Sequence, residues 1–493
     1  MSSPSTDADR PGTQIGEKKT ALGDVRLRDS QTDEVILIPR PSDDPNDPLR
    51  WPQAYKYYIA FVVCLAMLVC NFLAAAIVET ALDFFPTDDL SKSVPRVAYF
   101  FTSTALVQGT GNFLWVPLTN KFGRRPVYII SYVIYLAAAL WLIFERHFGG
   151  FLVGRILLGF GSGAAETLAP ITIADVFFLH ERGTIMSLYT SFLSIGVAFG
   201  ILIDGDDQPT FVVHAPVKQD AKEFDTTTQP LAPAPKKKSY LQNLQIFRGT
   251  LTEESLIKMF FRPLGLIVLP SVLWAALVQS VTIGFLVAVT SNVAVAYKAA
   301  YNFKAWQVGL TFISAILGSL LGIPAGGKLG DMVADWFTRR NNGIRAPEMR
   351  LPAMSISLIT TPLALILYGV GIQNKLHWIC PTIGLGLLNF SITQATNICL
   401  VYVIDAYRPI AGEITLTVLG FKSLFGFLLS FYTNPWIEQV GYLNAYGTMA
   451  AISAGILLLW IPLYFWGGSL RHRTWRWKLI SYIHWTKDRE VGE

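Results

Sequence analysis

Charge is scarce in this chain. Lys, Arg, Asp and Glu make up 15% of its 493 residues, against roughly 25% in an ordinary soluble domain. Long apolar blocks alternate with short charged ones and the mean hydropathy is +0.40. That pattern excludes a soluble enzyme, a disordered scaffold and a nucleic-acid module. The net charge of +5 is too small for this length to advertise a polyanionic partner, so no nucleic acid is expected. Cysteine is scarce too: Cys64, Cys70, Cys380 and Cys399 all lie in apolar blocks and read as small apolar side chains, not as a disulfide framework. The six histidines, at 147, 180, 214, 377, 472 and 484, form no helical metal pair, and no phosphate loop or nucleophile elbow is present. No metal, cofactor or enzymatic activity is therefore expected. Residues 1 to about 50 are polar, lack a basic-then-apolar leader and read as a disordered cytoplasmic tail.

What the chain does contain is membrane-spanning sequence. A helix needs about 20 mainly apolar residues to cross roughly 30 Å of hydrocarbon. Five blocks meet that condition first: Tyr57–Leu82, Val97–Pro117, Val127–Phe144, Phe151–Ile173 and Thr184–Ile203. A second set follows: Pro263–Ser291, Trp306–Gly327, Leu351–Ile372, Leu376–Val403, Ile410–Asn434 and Tyr442–Trp466. The expected organisation is a five-span bundle over 51–203, a cytoplasmic linker over 204–262, a six-span bundle over 263–466 and a basic cytoplasmic tail over 467–493. The linker contains no long apolar run. Thr252 followed by Glu253 and Glu254 reads as the start of a short amphipathic surface helix over Glu253–Phe261.

Eleven spans create a parity problem. Cytoplasmic loops collect Lys and Arg. If a sixth span is missing before the linker, the inside loops hold 18 such residues and the outside loops 6, and both tails fall inside. Threading eleven spans literally puts 23 outside and 15 inside. The charge rule thus favours a six-plus-six bundle that lacks its sixth span. The alternatives are a true eleven-span topology, or a gene model from which an exon encoding about 20 or more residues is absent.

Several motifs lie on these spans. Leu118, Asn120, Gly123, Arg124 and Arg125 follow the second span, in a turn suited to a latch between neighbouring helices. Asp331, with Arg339 and Arg340, stands in the corresponding place of the second half. In the fourth span, Arg155 and Glu166 lie eleven residues apart and so share one helix stripe. Gly159, Gly161 and Gly163 permit close helix approach, as do Gly196 and Gly200 in the fifth span. Asn389, Thr393 and Asn397 recur every four residues, as do Gln108 and Asn112. With Gln279 and Lys422 they outline a candidate polar cavity, although for the amides helix-to-helix bonding is as good a reading.

At these residues the chain resembles the major facilitator superfamily. The turn after the second span keeps part of G-x-L-x-D-R-x-G-R-R, with Val116 and Asn120 replacing the first glycine and the aspartate. Arg155, Gly159, Gly161 and Gly163 match R-x-x-x-G-x-G-x-[GA]. Gly196, Gly200 and Gly205 keep part of the exporters' antiporter motif, with Ile201 in place of its proline and Asp204 in place of a glycine. The stretches Asn341–Leu351 and Tyr407–Glu413 resemble fungal members of the drug:proton antiporter branch. The resemblance implies an all-α two-bundle membrane fold with 5 + 6 helices instead of 12. It also implies a monomer in the lipid bilayer of the plasma membrane, exporting drugs or secondary metabolites in exchange for protons. Arg155 is implicated in proton coupling by the resemblance, and Glu79, Glu166 and Glu413 are candidate proton carriers. Uptake of a small polar or cationic nutrient is the alternative within transport; a membrane sensor or an inactive truncated product lies outside it.

Overall fold

The computed structural model describes residues 23–28, 36–39, 41, 47–75, 90–204, 249–250, 252 and 254–477, with the backbone alone at 90–99 and 204. The first half comprises α1 (Gln53–Ala75), α2 (Leu90–Thr110), α3 (Asn112–Phe122), α4 (Arg124–Phe144), α5 (Phe148–Val176) and α6 (Leu179–Asp204). A short α7 (Leu256–Leu266) precedes the second half. That half comprises α8 (Pro270–Tyr301), α9 (Ala305–Gly326), α10 (Lys328–Arg340), α11 (Ser355–Gln373), α12 (Ile379–Ala406), α13 (Ala411–Val440), α14 (Tyr442–Leu458) and α15 (Trp460–Thr474). The β-structure among the described residues is one two-stranded pairing, β1 (Val25–Arg26) with β2 (Ile344–Arg345).

Ten helical runs among the described residues are long and apolar enough to cross a bilayer. The expected second span is not one of them. Its helix breaks between α2 and α3 at Gly111 and carries Thr102, Thr104, Gln108 and Asn112, all buried. The polarity has a cause: α2 packs against α5 on one side and α13 of the other half on the other, so it faces protein and not lipid. The amphipathic helix also starts later than expected, at Leu256 after Ser255. Thr252 Oγ1 accepts the Glu254 N–H instead of capping that helix, and Glu254 pairs with Arg262 at 2.5 Å.

Glycines set the helix spacing. A Cβ on Gly159 would stand 2.4 Å from the Thr104 carbonyl and one on Gly163 2.5 Å from the Gln108 carbonyl, both on α2. Gly161 faces the other way, with a Cβ position 2.7 Å from the Tyr135 nitrogen of α4. The fourth predicted span is thus wedged between two neighbours at backbone distance. Gly196 similarly meets the Leu68 carbonyl of α1, and Gly200 is buried on the same helix. Replacing Gly159 with leucine is expected to destabilise the protein by about 1–3 kcal/mol through overpacking; a thermal melt of the detergent-purified variant checks it.

The first described residues and the end of α15 meet on one face. β1 pairs with β2, Asp24 reaches Arg471 at 3.4 Å, and Arg471 pairs with Glu348 at 2.9 Å. Arg182, at the start of α6, pairs with Asp405, at the end of α12, on that same basic face. From there α6 runs away for 26 residues, about 39 Å. α8 also starts at the basic face: α7 in front of it packs on α3 and α13, and Thr417 donates to the Pro263 carbonyl at 2.8 Å. α6 and α8 therefore run parallel. α6 thus ends at the far face and α7 begins at the basic face; most of the expected linker between them, residues 205–248, lies outside the described residues. Gln53, at the start of α1, donates to Glu181 beside Arg182 at 3.0 Å, so α1 also starts at the basic face, and equal polarity of α1 and α8 is what a duplicated bundle requires. In the second half α14 packs on α11; no described helix takes the equivalent place on α4, whose Val133, Leu136 and Phe144 are exposed.

Candidate functional site

A cavity lies where the two halves face each other. Asn71 of α1, Phe101 and Gln108 of α2, Glu166 of α5, and Lys422 and Phe427 of α13 line it. Glu166 and Lys422 are its two charged residues among those described. They meet: Lys422 Nζ donates to Glu166 Oε1. Glu166 is 2% exposed and Lys422 7%, and they lie ten residues from the end of α5 and eleven from the start of α13, so both stand near mid-membrane, about 15 Å along their helices. A buried ion pair of this kind costs desolvation on both sides and holds only while both partners are present. This one joins the two halves.

Below the cavity, toward the basic face, the halves are zipped by α6. Ser187 donates to the Ile323 carbonyl at 2.8 Å, Ser191 to the Ser319 carbonyl at 3.0 Å and Ser194 to Asn389 Oδ1 at 2.6 Å. These serines, spaced four and three residues apart, form one stripe facing α9 and α12. Asn397 donates to the Gly183 carbonyl at 3.2 Å, and the Thr393 carbonyl accepts from Thr190 at 3.4 Å. Asn389, Thr393 and Asn397 thus belong to the seam, whereas Ile392 of the same helix lines the cavity. Asn112 is fully buried and bonds the Gln108 carbonyl of its own helix stack at 2.8 Å. Gln279 is buried beside Cys399. Of the expected cavity residues, Gln108 and Lys422 line it.

The proton-carrier candidates separate. Arg155 is fully buried outside the cavity lining; its Nη1 donates to the Leu73 carbonyl at 2.9 Å and its guanidinium lies 5.7 Å over the Phe151 ring. Arg155 and Glu166 share α5, but eleven residues put about 16 Å between them. Glu413 sits at the basic end of α13, where Asn120 donates to it at 3.3 Å. Glu79, Gly205 and the side chain of Asp204 lie outside the described residues.

The latches are built differently from the expectation. In the first half Gly123, at φ +91°, makes the turn, Arg124 pairs with Asp175 at the end of α5, and Arg125 is exposed. Asn120 has an amide to donate, and it reaches Glu413 across the halves where the family's aspartate would repel it. In the second half Asp331 is held by Arg350 at 2.6 Å and Arg345 at 3.7 Å. Arg339 and Arg340 are exposed, with Arg340 stacked 3.6 Å over Trp336. The two arginines that Asp331 uses come later in the chain because α10 turns its last residues to solvent and β2 brings the chain back. Burial, with the charge of Arg350 beside it, pulls Arg345 below the ordinary arginine value against the opposing pull of Asp331, Asp405 and Asp335. Across the seam, Thr184 donates to Asp331 at 3.4 Å and Arg182 pairs with Asp405 at 3.0 Å, both partners nearly fully buried. Arg182, Asp405, the serine stripe and Asn71 were not among the expected site residues. The serine spacing in Ser187–Ser194 was the one signal in the sequence that could have shown them.

Two bundles around a central charged cavity, zipped on one face, define a membrane transporter fold. Residues 59–205 match the family model described as Major Facilitator Superfamily. An uncharacterized MFS-type transporter of Schizosaccharomyces pombe is 23% identical over 90% of this chain and 89% of its own length. A Saccharomyces cerevisiae protein named a probable drug/proton antiporter, YHK8, is 23% identical over 93% of this chain and 95% of its own length. Among solved structures, the proton:xylose symporter XylE superposes with a TM-score of 0.57 at 15% identity, covering 84% of this chain and 97% of that one. Over about nine-tenths of its length the chain is thus similar to transporters of the major facilitator superfamily, and it shares their all-α, multi-pass membrane fold.

Proposed function

We propose that this transporter exports amphipathic organic molecules, drugs or secondary metabolites, in exchange for protons, by alternating access. The observation that carries the proposal is the Glu166–Lys422 pair, one residue from each half, in the wall of the cavity. A solute that offers a cationic group to Glu166 displaces Lys422. A buried ammonium left without its partner favours losing its proton. Solute entry then releases a proton, which is exchange. A solute that offers an anionic group to Lys422 would leave Glu166 to take up a proton, which is symport. The direction of proton movement therefore reports the charge of the solute's anchoring group. The name of the S. cerevisiae relative supports exchange, and Gly196, packed at backbone distance on α1, supports the antiporter-motif reading of α6.

In this reading the basic face is cytoplasmic, which the Lys/Arg count of a six-plus-six bundle lacking its sixth span supports, and the membrane is the plasma membrane. The structure is then in the state closed to the cytoplasm, because α6 is bonded to the other half from Arg182 to Ser194, about 18 Å of helix. Glu166 acts as the solute-side carboxylate and Lys422 as the proton-releasing group. Arg155 is a positioning residue for the end of α1, which it holds through the Leu73 carbonyl. Proteoliposomes with an imposed pH gradient test the whole. Uphill movement of a cationic dye against the proton gradient is expected; flux that ignores the gradient, or movement in the same direction as protons, would reject exchange.

A further inference from the structure

The second half carries a docking edge for an extended peptide, and the chain's own N-terminal segment occupies it. Val25 and Arg26 pair antiparallel with Arg345 and Ile344. Leu27 and Arg28 donate to the Gly343 carbonyl at 2.9 and 3.2 Å, and the Leu27 side chain is 1% exposed. Gly343, at φ +77°, lies so close that a Cβ there would stand 2.3 Å from the Arg28 carbonyl. Asp24 reaches Arg471 at 3.4 Å. Every one of those contacts is to the second half. The segment then crosses: Ile36 donates to the Leu27 carbonyl at 2.7 Å, and the Ile38 carbonyl accepts the Leu179 N–H at 2.9 Å. Leu179 opens α6, the helix that forms the seam, and its N–H is one of those that an α-helix cannot satisfy internally.

We infer that the segments 23–28 and 36–39, held to each other by the Ile36–Leu27 bond, form a strap that fastens the two halves together at the basic face and biases the transporter toward the state closed on that side. Docking at β2 alone would anchor a tail. What makes a strap is the second anchor on α6, three residues before the Arg182–Asp405 pair. Separating the halves at this face requires breaking the strand pairing, the Leu27–Ile36 bond or the Ile38–Leu179 bond. Each favours the closed state only, and a contact made in one state shifts the equilibrium toward that state by its own free energy. The inference rests on the alternating-access reading.

The test uses the full chain in lipid nanodiscs, where both faces are accessible, and needs no solute. Ser191→Cys places a thiol in the seam, and Thr290→Cys places one in the cavity wall; Leu27→Asp, or deletion of residues 1–28, releases the strap. The expected result with a hydrophilic maleimide is that either release raises the Ser191→Cys labelling rate several-fold and lowers the rate at Thr290→Cys. Unchanged rates, or a rise at both positions from general loosening, would overturn the strap. Arg182→Ala is the control that separates the two readings. If it opens the seam while both strap variants leave it closed, the strap fails and alternating access stands. If none of the three changes either rate, alternating access fails with it.

Discussion

Lys422→Met and Glu166→Gln are each expected to abolish gradient-driven transport, and the two changes together to recover stability without recovering coupling. Either single change leaves one buried charge without its partner, and breaking such a pair typically costs about 3–5 kcal/mol. The double variant removes both charges and the desolvation penalty with them, so its melting temperature should return toward that of the unaltered protein. Its flux should then be insensitive to an imposed pH gradient. A thermal melt and a proteoliposome flux assay on the three variants read both quantities. If Lys422→Met retains a flux that follows the gradient, the pair is structural and the coupling group lies elsewhere.

The second large effect is expected at the basic-face gate. Arg182 donates to Asp405 at 3.0 Å and also to the Ala174 carbonyl at 2.7 Å, with both charges of the pair nearly excluded from solvent. Asp405→Ala leaves a guanidinium buried in the seam, and Arg182→Ala leaves a carboxylate. Truncating one partner of a buried, hydrogen-bonded charge pair costs about 2–5 kcal/mol, much of it from the stranded charge. Because the pair joins the halves only when this face is closed, the loss falls on the closed state. The seam thiol at Ser191→Cys should therefore label at least about tenfold faster in either variant, the effect of 1.4 kcal/mol. Exchanging the charges, Arg182→Asp with Asp405→Arg, should slow labelling again. If the exchanged protein labels as fast as the single variants, the pair does not act as a gate.

Much of the architecture could be read from residue spacing because it depends on local periodicity. An apolar block of the right length is a span wherever it lies in the chain, and Gly159 and Gly163 share a face because four residues make nearly one helical turn. The same rule placed Asn389, Thr393 and Asn397 on one face but could not say which helix that face meets. It meets α6, where Ser194 donates to Asn389 and the Gly183 carbonyl accepts from Asn397, and so that face closes the seam and does not line the cavity. Asp331 shows a similar limit. Arg339 and Arg340 are nearer in sequence, but a helix ending in solvent carries them outward, and Arg345 and Arg350 return to the acid after the turn at Asn341–Gly343.

Taken alone, the sequence determined that this is a many-spanned helical membrane protein. It also determined that Lys422 sits near the middle of an apolar span and that Glu166 lies within another. Those properties follow from composition and from the 3.6-residue period, both of which act over short distances along the chain. Only the tertiary structure decided that Glu166 and Lys422, 256 residues apart, are partners. It alone decided that Arg182 finds Asp405, that α6 and α8 run parallel, and that the segments 23–28 and 36–39 touch opposite halves. A buried charge must find a partner, but its identity is set by which helices the glycines and serines allow to pack at backbone distance. That choice is made by shape across the whole fold.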